Sequence, residues 1–151
     1  FNKRDVANEP VADIKVLHSE LNGIQIDGDI IPKLIDEIPI IIIASVVAKG
    51  PTIIKDASEL MVKETDRLFA MAEFLKSSNI KHNLFGDGIE ILGDSDFSGG
   101  NFDSFNDHRI AMSIAISSLI SDQETIINNS DVAAVSYKQF WDHLEILKLD
   151  N

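Results

Sequence analysis

The stretch "IDEIPIIIIASVVAKGPTIIKDA", residues 35–57, decides which class of fold the sequence predicts. Its first part is mostly apolar, carries Pro39 near the start and closes with Gly50. These are helix start and stop signals, although the isoleucine run also favours a strand. Its second part, residues 52–57, has the composition of a buried strand. We therefore expect a helix followed by a strand, as in an α/β fold.

The segments around this stretch continue the alternation of strands and helices. Residues 12–19 and 22–27 predict two short strands around a polar turn. Residues 80–85 and 88–93 predict a hairpin around an Asp-Gly turn. Residues 64–78 predict an amphipathic helix, because apolar side chains recur at i, i+3, i+4 and i+7: Leu68, Met71, Ala72 and Leu75.

The second half of the chain repeats the order of the first. Its segments are a polar loop (93–104), a helix (106–121), a strand (124–129) and a second helix (135–148), and a further strand between the hairpin and the first of these helices stays open as an alternative. Thr52-Ile53-Ile54 recurs as Thr125-Ile126-Ile127, an offset of 73 residues, and the same offset carries Asp36 onto Arg109. An internal repeat indicates stacked copies of one supersecondary unit. We expect β-α-β-α-β-β units at about 22–92 and, less complete, about 101–148.

Composition narrows the classes of protein and partner. The chain has 151 residues, enough for one domain with a core, and a formal net charge of −12, which disfavours nucleic acid and anionic membranes as partners. It has no cysteine, which excludes thiolate metal sites and fits a reducing, cytoplasmic location. Its longest apolar run, residues 40–48, is shorter than the roughly 20 residues of a membrane helix. Because the first residue is Phe1 rather than Met, we expect a processed chain or a piece of a longer protein.

Three charged clusters stand at predicted helix starts. Helix N-termini expose free N–H groups and partial positive charge, so they suit phosphate and carboxylate groups. If the repeat holds, the clusters converge on one surface, where carboxylates beside cations would suit proton transfer on an anionic substrate. The clusters are Asp36-Glu37, Lys63-Glu64 with Arg67, and Asp107-His108-Arg109.

Ordinary structural roles compete with this interpretation. Acidic residues in a first helical turn complement the helix dipole, and Glu64 can pair with Arg67 on a solvated face. Asp107 fits a helix cap better than a catalyst, and Asp66 is expected to point to solvent. "DSDFSG" (94–99) starts like a calcium loop, but it lacks the glutamate at the twelfth position, so we expect no metal.

Four motifs resemble one enzyme family, in the expected order: "LIDEIP" (34–39), "VKETDR" (62–67), "DHRIAM" (107–112) and "VSYKQF" (135–140). Over about residues 10–148 the chain is similar to the C-terminal part of 5-enolpyruvylshikimate-3-phosphate synthases. The resemblance implies an inside-out α/β barrel, the enolpyruvyl transferase-like fold, built from repeated β-α-β-α-β-β units. Residues 1–151 would then be a single fragment of the C-terminal domain, an incomplete domain.

The resemblance also implies an activity of the shikimate pathway, which leads to aromatic amino acids. The enolpyruvyl group of phosphoenolpyruvate is transferred to the 5-hydroxyl of shikimate 3-phosphate, and phosphate is released. The family needs no metal or organic cofactor and is the target of glyphosate. The expected partners are these two substrates and the rest of the protein's own chain, with no nucleic acid and no membrane.

Six residues match functional positions of the family. Asp36 matches the residue that contacts the shikimate hydroxyls and is a candidate base. Lys63 and Glu64 match the proton-transfer pair beside the phosphoenolpyruvate carbon. Arg67 and Arg109 match the two arginines that clamp the phosphoenolpyruvate carboxylate, a task that suits planar bidentate donors. His108 matches a histidine beside the site.

Two departures and one gap keep alternatives open. Met61 stands where the family usually has Arg, and Val135 stands where many members have Lys. The ligands that the family carries on N-terminal segments have no match here, so we expect the chain alone to be inactive. The alternatives are an enolpyruvyl transferase acting on a UDP-amino sugar and a non-catalytic module that keeps the family sequence.

Overall fold

The computed structural model describes residues 2–149. The chain opens with an exposed antiparallel hairpin of β1 (Arg4–Val6) and β2 (Glu9–Val11). The strand expected at 12–19 is wrong: this segment has no regular structure and is exposed throughout. Its apolar residues suit a strand, but no described residue pairs with it, and an unpaired strand leaves its backbone groups without partners.

Residues 25–91 form one β-α-β-α-β-β unit around a four-stranded sheet of order β3-β4-β6-β5. β3 and β4 are parallel, and the other two pairings are antiparallel. The predicted helices and the hairpin are confirmed, with shorter bounds. The elements are β3 (Gln25–Ile26), α1 (Ile31–Leu34), α2 (Ile38–Val46), β4 (Thr52–Ile54), α3 (Arg67–Ser77), β5 (His82–Phe85) and β6 (Gly88–Ile91).

The second half contains β7 (Gly100–Asp103), α4 (His108–Ser117), β8 (Thr125–Asn128) and α5 (Phe140–Leu149). β7 and β8 are parallel, as β3 and β4 are. The loop expected at 93–104 ends earlier than predicted, because the further strand left open before α4 forms as β7. The strand forms here because the buried Phe102 packs against α3: its ring centroid lies 4.8 Å from that of Phe74. The last helix begins five residues later than predicted, after a 3-10 turn at Ser130–Val135.

The offset of 73 residues is visible in the backbone. α3 begins at Arg67 and α5 at Phe140, each after a 3-10 segment. Asp56 and Asn129, also 73 residues apart, both adopt the left-handed conformation with φ of 56°. The order of elements confirms that the second half repeats elements of the first, while the exact unit bounds stay a prediction.

The packing of α2 brings the helix starts together. This helix is apolar on every side, which is typical of a helix buried in a domain interior. Ile38 and Ile42 are fully buried, in one cluster with Leu68 and Met71 of α3 and Ile110 and Ile114 of α4. Since α2 lies against both α3 and α4, the N-terminal ends of the three helices lie close together.

Candidate active site

Two aspartates fix the starts of α3 and α4. The Asp66 side chain accepts a hydrogen bond from the Phe69 amide at 3.0 Å, so Asp66 caps α3 rather than pointing free into solvent. Asp107 Oδ1 accepts from the amides of Arg109 at 2.8 Å and Ile110 at 3.3 Å, which confirms the expected cap of α4. Such caps satisfy amides that a helix start leaves without partners.

Arg67 lies at the centre of the site. Its side chain is only 2% exposed. The alternative prediction, which placed Arg67 on a solvated face, is therefore wrong. Each nitrogen donates to a different carboxylate: Nε to Asp107 Oδ2 at 2.8 Å, Nη1 to Asp36 Oδ1 at 2.9 Å and Nη2 to Glu64 Oε2 at 2.7 Å. Burial lowers the pKa of Arg67, but the hydrogen bond and charge of Asp107, with Asp36 and Glu64, outweigh it and raise the pKa above its ordinary value.

Arg109 closes the same cluster from α4. Its Nη1 donates to the backbone carbonyl of Asp36 at 3.0 Å, and its Nη2 donates to Asp36 Oδ2 at 3.1 Å. Glu37 Oε1 lies 3.8 Å from Nη1. Asp36 therefore joins both arginines, and the two residues that the repeat places 73 positions apart are in direct contact.

The carboxyl of Asp36 is held ionised by its neighbours. Burial by itself raises the pKa of Asp36, but the hydrogen bond from Arg67 and the charges of Arg109, Arg67 and Lys63 outweigh burial and hold the pKa below its ordinary value. Lys63 Nζ also donates to Glu59 Oε1 at 2.5 Å. Lys63 thus reaches the cluster through its charge, and Glu59 is a partner that the sequence reasoning missed.

His108 is the first residue of α4 and is buried. Within residues 2–149 its ring makes no hydrogen bond. The structure thus joins four of the six predicted residues in one ion-pair network: Asp36, Glu64, Arg67 and Arg109. Lys63 pairs with Glu59 and reaches this network through its charge, and His108 lies beside it in sequence. Met61, by contrast, is 42% exposed, and Val135 is also exposed.

The charges of the cluster do not balance. Five carboxylates surround three cations: the carboxylates are those of Asp36, Glu37, Glu59, Glu64 and Asp107, and the cations are Lys63, Arg67 and Arg109. An excess of negative charge disfavours anionic ligands, so further cations would strengthen their binding here. Among residues 2–149, no group of His, Cys, Asp and Glu side chains could hold a metal ion. In the same range, no helix is long and apolar enough to cross a membrane.

The role of Asp107 as a partner of Arg67 was missed from the sequence, although a signal was present. Arg67 stands four residues before Met71 and eight before Leu75, which places it on the buried stripe of α3. A buried guanidinium requires a buried acceptor. Asp107 is the fully buried carboxylate of the described residues and meets that requirement.

The fold and this cluster define an incomplete inside-out α/β barrel of the enolpyruvyl transferase class. The protein belongs to the family described as EPSP synthase (3-phosphoshikimate 1-carboxyvinyltransferase), whose family model matches residues 2–144. The predicted family and fold are therefore confirmed. The structure is similar to EPSP synthase from Acinetobacter baumannii with a TM-score of 0.89 and 38% identity, over 93% of this chain and 34% of that one.

Curated relatives agree with this membership. The chain is 47% identical over 148 residues to 3-phosphoshikimate 1-carboxyvinyltransferase of Synechococcus sp. (strain RCC307). This match covers 98% of the chain and 34% of the relative. It is 51% identical over 140 residues to the protein of the same name from Synechocystis sp., which covers 93% and 31%. The chain thus spans about a third of the length of the relatives that it matches.

Proposed function

We propose that this chain is part of a 3-phosphoshikimate 1-carboxyvinyltransferase. The complete enzyme transfers the enolpyruvyl group of phosphoenolpyruvate to the 5-hydroxyl of shikimate 3-phosphate and releases phosphate. The observation that carries the proposal is the convergence of Asp36, Glu64, Arg67 and Arg109, from three helix starts, in one network. The cysteine-free composition supports a cytoplasmic location.

The geometry supports a division of labour between cations and carboxylates. Arg67 and Arg109 carry planar donors that suit the carboxylate of phosphoenolpyruvate. These donors face Asp36 and Glu64, so a substrate carboxylate takes the place of an internal one. That exchange frees carboxylate oxygens for substrate hydroxyls and protons.

Both stages of the reaction transfer protons. In the addition, the 5-hydroxyl attacks the central carbon of phosphoenolpyruvate. The methylene carbon of phosphoenolpyruvate gains a proton, and the hydroxyl loses one. In the elimination, the tetrahedral intermediate expels phosphate and the new methyl group gives a proton back. We assign the carbon protonation and deprotonation to Lys63 and Glu64, and the contact with the substrate hydroxyls to Asp36. We place His108 beside the substrates.

The excess of carboxylates explains why the remaining length of the protein matters. Both substrates are anions, and this chain offers them a site whose own charge is negative. We therefore expect the cations that complete the site to come from the other two-thirds of the enzyme. The 151-residue chain alone should show no turnover, and no metal or organic cofactor should be needed.

Phosphate release tests the proposal. The complete chain should release phosphate from phosphoenolpyruvate only when shikimate 3-phosphate is present, and Glu64→Gln should lower kcat by about 100-fold or more, as expected for a positioned proton-transfer group. Glu73→Gln is the matched control, because Glu73, like Glu64, pairs with a cation three residues later in the chain, in its case Lys76. Full activity of Glu64→Gln would refute the role of Glu64, and turnover by the 151-residue chain would refute the need for the rest.

A further inference from the structure

Asp107 engages both of its oxygens, and each oxygen holds a different part of the site. Its side chain is fully buried. Oδ1 accepts the amides at the start of α4, and Oδ2 accepts Arg67 Nε at 2.8 Å. One carboxylate therefore fixes the start of α4 and the guanidinium of α3 as a single unit.

The bond to Nε sets the orientation of the whole guanidinium, because the group is planar and rigid. With Nε anchored at the buried end, Nη1 and Nη2 face Asp36 and Glu64, whose side chains are 43% and 49% exposed. The two ends of the guanidinium thus differ: one partner is out of reach of solvent, and the other two can be replaced by a ligand.

We propose that Asp107 is a positioning residue, which holds Arg67 so that Nη1 and Nη2 meet the carboxylate of the anionic substrate. This inference rests on the proposed function, which gives Arg67 that ligand. Asp107 itself touches no substrate. Without Oδ2 of Asp107, Arg67 keeps only partners that the substrate displaces, and nothing fixes the plane of the guanidinium during binding.

Asp107→Asn is the variant that separates the two tasks. Asparagine is a good helix cap, so its oxygen keeps the start of α4, while its NH₂ group replaces the oxygen that accepts Arg67 Nε. Asp66→Asn is the matched control, since it removes the same charge from the cap of the neighbouring helix, where the side chain accepts from Phe69. Asp107→Ser, which also caps helices, serves if the asparagine variant does not fold.

The test uses the complete chain and two readouts. In steady-state kinetics, Asp107→Asn should raise the KM for phosphoenolpyruvate by about tenfold or more, the effect of losing a charge-assisted hydrogen bond, and should change the KM for shikimate 3-phosphate less. In the Arg67→Lys background the same substitution should have little further effect, because Asp107 acts through Arg67. Asp66→Asn should leave both KM values within about twofold, as expected for a side chain that makes no contact with Arg67.

The second readout is independent of activity. The ¹⁵N-labelled Nε–H signal of Arg67, assigned by its loss in Arg67→Lys, should be protected from exchange in the unsubstituted protein and in Asp66→Asn, and should lose protection in Asp107→Asn. A KM for phosphoenolpyruvate that stays within about twofold, or equal rises in both KM values, would overturn the positioning role. So would a signal that is still protected. If the unsubstituted enzyme shows no turnover, the proposed function fails, and the exchange measurement alone decides whether Asp107 orients Arg67.

Discussion

Replacing Arg67 by Met tests the energetic weight of the network at the helix starts. The substitution removes a cation that is 2% exposed and leaves Asp107, which is fully buried, with two amide donors but no counter-charge. Breaking a buried ion pair in this way costs about 3–5 kcal/mol. The pairs with Asp36 and Glu64 are partly exposed and each add at most about 1 kcal/mol.

We therefore expect a loss of about 4 kcal/mol in the free energy of unfolding. For a chain of 151 residues this corresponds to a fall of about 8–16 °C in Tm. Urea unfolding followed by far-UV circular dichroism measures the first quantity, and thermal scans measure the second. Adding Asp107→Leu to Arg67→Met should restore part of the loss, because it removes the uncompensated buried carboxylate.

The control is Arg4→Met, which removes another arginine from an exposed pair, with Asp13 at 3.4 Å. It should cost less than about 1 kcal/mol. If Arg67→Met costs no more than this control, the buried network does not stabilise the fold and the reasoning fails.

The other predictions concern acid stability, a close backbone approach and one departure from the family. The pKa of Asp36 in the folded protein lies below the ordinary 3.8, so its contribution to stability is complete above about pH 4 and is lost as the pH falls through the folded pKa. In Asp36→Asn, the free energy of urea unfolding should therefore fall less steeply below about pH 4 than in the unsubstituted protein. Gly99→Ala should cost about 1–3 kcal/mol, because its Cβ would lie 2.2 Å from the carbonyl oxygen of Glu124, whereas Gly28→Ala, at φ +61° but in open space, should cost about 1 kcal/mol. Met61→Arg should change stability by less than about 0.5 kcal/mol, since Met61 is 42% exposed.

Each of these has an outcome that contradicts it. An unchanged slope below pH 4 in Asp36→Asn would mean that the arginines do not stabilise the ionised carboxyl. A cost well below about 1 kcal/mol for Gly99→Ala would mean that the approach of residue 99 to the carbonyl of Glu124 is not tight. A gain of 1 kcal/mol or more in Met61→Arg would mean that the family's usual arginine makes a stabilising pair that this chain has lost.

Local signals were sufficient for most of the helices and for the hairpin. Pro39 lies in the first turn of α2 and Gly50 lies four residues after its end, α3 has its apolar stripe, and the β5–β6 hairpin has an Asp-Gly turn. Each of these signals lies within the element or beside it. The two errors, the strand expected at 12–19 and the loop expected at β7, depend on pairing with a distant strand. A parallel partner such as β8 follows only after a helix, so nothing within residues 100–103 announces it.

The candidate site was predictable in its membership and less so in its contacts. The repeat indicated that helix starts converge, and four of the six expected residues are joined in one network, which Lys63 reaches through its charge. The pair of Arg67 with Asp107 joins positions 40 residues apart and depends on how deeply α3 is packed, which composition does not reveal. The catalytic and binding roles of these residues stay predictions until the variants are assayed.

The contact of Asp36 with Arg109 crosses from the first repeat unit to the second, and so does the contact of Arg67 with Asp107. The residues that we propose to bind substrate thus also form the hydrogen bonds that hold one unit against the other. Whatever binds here changes the strength of that docking, and the tightness of docking changes binding by the same factor. Because a bound carboxylate takes the place of Asp36 on Arg109, binding weakens that bond of the seam, and a distant substitution that loosens the seam there would favour binding by the same factor.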